Sequence, residues 1–162
     1  MILRPVILIF SLLVGVAASQ LPEFAQQYRQ RLAGAVDELT RIVERFDADA
    51  RAEGLTQDQA LERYRQSGDG FLRRQGGSAA EVIARRDRLL AQQQELAGAP
   101  FARIAPVVAH LDSELARRTL NDFEPAVPTT VEGAAFGGAG VVFGRLLASL
   151  LGLSPRRRRR TA

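Results

Sequence analysis

The stretch EGAAFGGAGVVFGRLLASLLGLSPRRRRR, residues 132–160, decides the architecture of this chain. After Glu132 come 21 residues, Gly133 to Leu153, all apolar or small except Arg145 and Ser149. A helix of about 20 such residues, rising ~1.5 Å per residue, crosses the ~30 Å hydrocarbon core of a bilayer. Ser154-Pro155 and five arginines, Arg156, Arg157, Arg158, Arg159 and Arg160, come directly after it. Arginine beside a span resists translocation and marks the cytoplasmic side. Residues 130–153 therefore read as a transmembrane helix that enters from outside and is stopped by a basic cytoplasmic tail, residues 154–162. The tail is also placed to contact anionic phospholipid headgroups, at ~1 kcal/mol per arginine.

Within this span, Gly133, Gly137, Gly140 and Gly144 recur at i, i+4, i+7 and i+11, which is one helix face. In lipid, small residues let two helix backbones approach closely. A nucleotide-binding loop does not fit these glycines. Three residues, not two, separate Gly140 from Gly144, no strand precedes them, and the chain has no lysine for a phosphate-binding loop. Arg145 lies eight residues before Leu153, about 12 Å along a helix. Its side chain can snorkel to the inner headgroups.

The N-terminus carries a second apolar run, Ile2 to Ala18, with Arg4 near its start. Two readings compete. A secretory signal peptide has this layout, with Val16-Ala17-Ala18 as the small-residue cleavage site. An uncleaved signal anchor over residues 1–19 also has it, at the short end of the spanning range. In both, Arg4 keeps the start of the chain inside and sends the next segment outward. Ser11, Gly15 and Ser19 put small side chains on one face of this helix.

Composition narrows the function classes. All 22 basic residues are arginine, and there is no cysteine. Disulfides, thiolate metal sites and cysteine nucleophiles are thereby excluded. The net charge of +4 conceals an asymmetry: the 18 acidic residues and fifteen of the arginines lie between Glu23 and Glu132, making that segment net negative. The positive charge belongs to the ends of the chain and the span flank, so no basic nucleic-acid face is expected.

The segment between the spans reads as helical throughout. Leu21 to about Glu53 forms one long helix, with Pro22 in its first turn and Gly54 at its C-terminal end. Ala25, Leu32, Leu39 and Phe46 alternate at heptad spacing with Leu21, Tyr28, Ala35 and Ile42, and Val36 and Val43 widen the seam. Thr56 with Gln59 is a capping box opening a short helix to about Gln66. Ser67-Gly68-Asp69-Gly70 is a turn, Gly76-Gly77 a second break, and Ser78 with Glu81 a capping box for a helix from Ala79 to Ala97. Next are a short helix from Phe101 to Leu111, interrupted by Pro106, and one from Ser113 to about Asp122, capped by Asp112. Pro125 and Pro128 impose an extended lead-in, and Thr129 with Glu132 caps the last span. His110, the single histidine, stands four residues from Glu114; with no second histidine this is a thin metal site, and Asp112 between them is accounted for as a cap.

Ser19-Gln20-Leu21-Pro22-Glu23-Phe24, Gln27-Tyr28, Arg31-Leu32 with Gly34 and Val36-Asp37-Glu38-Leu39, together with Asp122-Phe123-Glu124-Pro125-Ala126-Val127-Pro128-Thr129 and Glu132-Gly133, resemble a proteobacterial membrane-protein family catalogued as domain of unknown function 2937. The likeness is strongest at these two span-proximal motifs and weakest from Ala48 to Ala109. It implies a two-span inner-membrane protein with a helical insert, and so favours the anchor. It brings no established activity and no catalytic residues.

The expected fold is an all-α membrane protein, with two transmembrane helices flanking an extracytoplasmic helical hairpin or bundle, residues 20–129. Both termini are expected in the cytoplasm and residues 20–129 in the periplasm. The expected function is non-enzymatic: an interaction or scaffold protein of the inner membrane, with no cofactor, metal or nucleic acid, contacting the lipid bilayer and a protein partner or a second copy of itself. A periplasmic ligand-sensing or binding module is the alternative. An envelope hydrolase using paired carboxylates comes third, because no spaced pair stands out from solvated helix charge.

Overall fold

The computed structural model describes residues 3–97, 111–127 and 129–150. Among these the chain is helical, with no strand. The helices are α1 (Leu3–Ser19), α2 (Leu21–Ala52), α3 (Gln57–Arg65), α4 (Gly70–Glu95), α5 (Ser113–Asn121) and α6 (Val131–Leu150). Two apolar stretches are long enough to cross a membrane, one beginning at Pro5 and one over Val131–Leu150.

Helices α1 and α2 form a nearly continuous rod. Gln20 between them keeps right-handed helical dihedrals (φ −83°, ψ −11°). The ladder is interrupted because Pro22 has no N–H to offer the Ala18 carbonyl. It resumes at once, with Phe24 N–H bonded to the Gln20 carbonyl at 2.9 Å. The far end of the rod closes on Gly54 at φ 70°. There the Leu55 N–H returns to the Ala50 carbonyl (2.9 Å) and the Gly54 N–H to Arg51 (3.0 Å), a Schellman closure that requires the left-handed residue.

Helix α3 opens on the expected capping box. The Gln59 N–H bonds the Thr56 hydroxyl (3.3 Å), and the Gln59 side chain accepts from the Thr56 N–H (2.9 Å). The chain then turns back. The Asp69 carboxylate caps α4 by accepting from Phe71 N–H at 2.7 Å. The Asp112 carboxylate caps α5 at Leu115 N–H, 3.0 Å. At the far tip Tyr64 of α3 stacks on Phe46 of α2 (centroids 6.4 Å apart), and helix α4 returns along α2 so that Gln92 meets Tyr28 at the near end.

Two expectations are corrected. Gly76-Gly77 does not break the chain, and Ser78 caps nothing: α4 runs unbroken from Gly70, with Gly76 buried in its interior. A β-carbon at Gly76 would lie 2.4 Å from Tyr64 Cβ, so this glycine serves the crossing of α3 over α4 and not a helix end. The last helix is capped by Thr130, not Thr129: the Gly133 N–H bonds Thr130 Oγ1 at 3.1 Å. The Thr130–Gly133 pair has the three-residue reach of a cap on a helix beginning at Val131. The helix expected from Phe101 to about Leu111, with His110, falls mostly in 98–110, outside the described residues. Leu111 itself is described, lies outside any helix, and packs on the core.

The core lies at the end of the bundle nearest α1 and α6. Ala25, Tyr28, Leu32 and Val36 of α2 meet Leu89 of α4, Leu96 just beyond it, and Leu115 and Ala116 of α5. Burying a side chain such as Leu32 contributes roughly 1.5–3 kcal/mol. The buried stripe continues through Val43 and Ala50. The strict heptad is not kept, and Leu21 and Ile42 stand exposed. A straight helix drifts by ~20° per heptad, so the stripe rotates away from a 3.5-residue period.

Candidate functional site

Of the small residues singled out in the two apolar helices, Ser11, Gly15, Ser19, Gly137, Gly140 and Gly144 meet across one interface. Ser11, Gly15 and Ser19 are buried on α1, and Gly133, Gly140, Gly144 and Ala148 are buried on α6. A β-carbon at Gly140 would lie 2.6 Å from Ala18 Cβ, 2.9 Å from the Val14 carbonyl and 3.0 Å from Gly15 Cα. One at Gly144 would lie 3.0 Å from Ser11 Cα, one at Gly137 3.3 Å from Ser19 Cβ, and one at Gly15 2.4 Å from Val141 Cγ2. Ser11 thus faces Gly144, Gly15 faces Gly140, and Ser19 faces Gly137. The helices run antiparallel, and Leu3 and Leu150 lie at the same end. The serine hydroxyls are satisfied within their own helix, Ser11 donating to the Ile7 carbonyl and Ser19 to Val16, each at 2.8 Å. They leave the contact surface small and without polar demand. Gly138, by contrast, has nothing within 4 Å of where its β-carbon would be. Arg145 points away from the interface and is exposed. Arg4 lies in the second residue position of α1, its side chain outside the described residues. Arg156 to Arg160 also fall outside them.

Directly beyond this pair the chain builds a clamp. After α5 the backbone from Phe123 to Val127 is neither helix nor strand. Its inner edge is read by two glutamines seven residues apart on α2. The Gln20 side-chain amide donates to the Ala126 carbonyl (3.2 Å) and accepts from the Ala126 N–H (3.1 Å). Gln27 does the same at Glu124, donating at 2.9 Å and accepting at 3.4 Å. Seven helical residues span ~10.5 Å, and two residues of any backbone at most ~7 Å, so two flexible side chains bridge the difference. Between them Phe24 meets Phe123 edge-on, with centroids 6.1 Å apart. Arg31 closes the row on Asp122 at 2.7 Å. Pro125 has no N–H to present on the opposite edge, which blunts it against pairing with another strand.

One turn away, the buried Tyr28 ties three segments together. Its hydroxyl donates to Gln92 Oε1 (2.9 Å) and accepts from the Asp112 N–H (3.0 Å), joining α2, α4 and the start of α5. Burial, the largest cause, pushes this hydroxyl above the ordinary tyrosine range; the Asp112 N–H pulls it down and the Asp112 carboxylate pushes it up. Arg85 braces the same junction through Glu114 at 2.9 Å.

The arrangement recognises backbone with neutral amides and packs helices through small residues. The two sequence motifs of the resemblance turn out to be the two halves of one contact. Sequence reasoning did not pair them. The available signal was Gln20 and Gln27 at heptad spacing, outside the apolar seam, in a chain that also holds a proline-punctuated extended segment.

Replacing both Gln20 and Gln27 with alanine removes four hydrogen bonds from an exposed strap. Each is worth about 0.5–1.5 kcal/mol net. We expect the amides of Glu124 and Ala126 to lose at least tenfold of their hydrogen-exchange protection, with α2 and α4 unchanged. Equal protection in the double variant would mean the strap is held by the Phe24–Phe123 contact and the Arg31–Asp122 pair without the glutamines.

A family model described as "Protein of unknown function (DUF2937)" matches residues 2–161. No curated protein and no solved structure matches the chain.

Proposed function

From the premise that the chain belongs to the DUF2937 family, which supplies no activity, we propose that this is a non-enzymatic inner-membrane protein that presents a helical arm to a partner. In this reading α1 and α6 cross the bilayer as a close pair, residues 20–129 stand in the periplasm, and both termini are cytoplasmic. The partner is another protein or a second copy of the chain. The observation that carries the reading is the continuity from span pair to arm. Helix α1 runs into α2 with a single interruption, and the clamp fastens the entry to α6 onto the same stretch of α2. An arm fixed at both of its roots is suited to holding a surface at a set distance from the membrane.

The same packing supports retention of α1 as an anchor. Val16-Ala17-Ala18 lie inside a helix, and Ala18 sits against Gly140. Cleavage after Ala18 would leave the glycine face of α6 without its partner. Alkaline phosphatase fused after Ala99 should be active, and fused at Ala162 inactive, and the mature protein should keep its N-terminal residues by intact mass. Activity at Ala162 with none at Ala99, or a mass lacking residues 1–18, would overturn this topology. Co-purification of the intact protein from membranes in detergent tests the partner.

A further inference from the structure

At the tip farthest from the span pair, α2, α3 and the start of α4 enclose an open cleft of about 690 Å³. That is within the ~300–1,000 Å³ typical of small-molecule sites. Its floor is made by two buried alanines, Ala50 and Ala60, whose small size leaves the space open. Phe46 and Tyr64, stacked on each other, form one wall, and Leu55 and Leu72 also line it. This apolar lining carries charge of one sign in excess. Asp49 and Glu53 enter the cleft from α2, four residues apart on one face, and Arg63 enters from α3. Arg63 stands 3.7 Å from Glu53, with both side chains 69% exposed, so this pair is strongly screened by solvent.

We propose that this cleft binds an organic cation: a molecule with an apolar or aromatic body and a single positive centre. Two features favour that charge. Among the lining side chains the carboxylates exceed the arginine by one. Phe46 and Tyr64 supply aromatic surface, and ring faces attract cations. The helix ends add little: the Ala50 and Arg51 carbonyls of α2 are taken by the Leu55 and Gly54 N–H groups, and the Ser67 carbonyl beyond α3 accepts from Arg73 at 2.7 Å. An anion of the same size meets two carboxylates against one lining arginine.

The test uses the full-length protein in lipid nanodiscs, titrated calorimetrically with tetraphenylphosphonium, with empty nanodiscs as the blank. Tetraphenylborate, of matching shape and opposite charge, is the comparison. Saturable binding of one tetraphenylphosphonium per chain, with none of tetraphenylborate, is the expected result. The double variant Asp49→Asn/Glu53→Gln, which changes only exposed side chains, should weaken binding at least tenfold. Ala60→Leu should abolish it by filling the floor, with the helical circular dichroism retained. No saturable binding to the wild type, equal binding of both ions, or undiminished binding in the Asp49→Asn/Glu53→Gln variant overturns the proposal.

Discussion

Replacing Gly140 with leucine is expected to force α1 and α6 apart and to lower the amount of protein in the membrane several-fold. Even a β-carbon at this position meets the Val14 carbonyl at 2.9 Å and Gly15 Cα at 3.0 Å, both backbone atoms that cannot rotate away. Leucine adds three more carbons behind the first. Overpacking of this kind costs typically 1–3 kcal/mol, and more where the neighbour is backbone. A loss of that size is enough to change cellular abundance. Gly138→Leu is the matched control, because the space around Gly138 is open and the same side chain should there be nearly neutral. The contact can also be trapped directly. The chain has no cysteine of its own, and the Gly137 β-carbon position lies 3.3 Å from Ser19 Cβ, close to the ~3.5–4.5 Å of a disulfide. Ser19→Cys with Gly137→Cys should therefore crosslink within one chain in native membranes. Crosslinks formed only between different molecules would assign the glycine row to association of copies.

Truncating Tyr28 should have the largest effect in the helical arm. The side chain is fully buried, and its hydroxyl serves two partners at once. Tyr28→Phe leaves the Asp112 N–H and the Gln92 carbonyl oxygen without this partner, at about 1–3 kcal/mol. Tyr28→Ala adds a cavity among Ala25, Leu89 and Leu115, and large aromatic truncations cost roughly 3–5 kcal/mol. Against a total stability of about 5–15 kcal/mol, the alanine variant should melt far earlier by circular dichroism, and the phenylalanine variant modestly so. Because the folded hydroxyl titrates above its ordinary value of 10.0, the direction with pH is fixed. Its contribution is present in full below the unfolded-state pKa and is lost as pH rises through the folded one. Wild-type melting should therefore fall, as pH rises above the ordinary tyrosine value of 10.0, more steeply than that of Tyr28→Phe. Parallel pH dependence in the two proteins would contradict the assignment.

Much of this fold was legible in local chemistry. Pro22, Gly54, the Thr56–Gln59 box and Asp112 each act on residues a few positions away, and each ended or began a helix where expected. What was not legible depends on residues distant in the chain. Gly76 reads as a break until α3 is known to cross it, since the same residue type serves chain reversal and close approach. Thr129 and Thr130 are adjacent and chemically alike, and a one-residue choice of helix start selects between them. The clamp joins Gln20 to Ala126 and Gln27 to Glu124 across about a hundred residues, a separation at which no periodicity carries information. The tip cleft exists only as the space left between three helices.

The clamp also has a mechanical consequence. If α1 and α6 span the bilayer as proposed, the single interruption between α1 and α2 and the strap that fastens α2 to the root of α6 would make the pair and the arm a lever with its fulcrum at Gln20. The 32 residues of α2 give that lever a length of ~48 Å. A change of 10° in the tilt of the pair, well within the ~0–40° that spanning helices adopt as bilayer thickness varies, would carry the tip sideways by about 8 Å. Lipid thickness would thus be read out as lateral position, far from the lipid itself, with the two glutamines setting how stiffly one tracks the other.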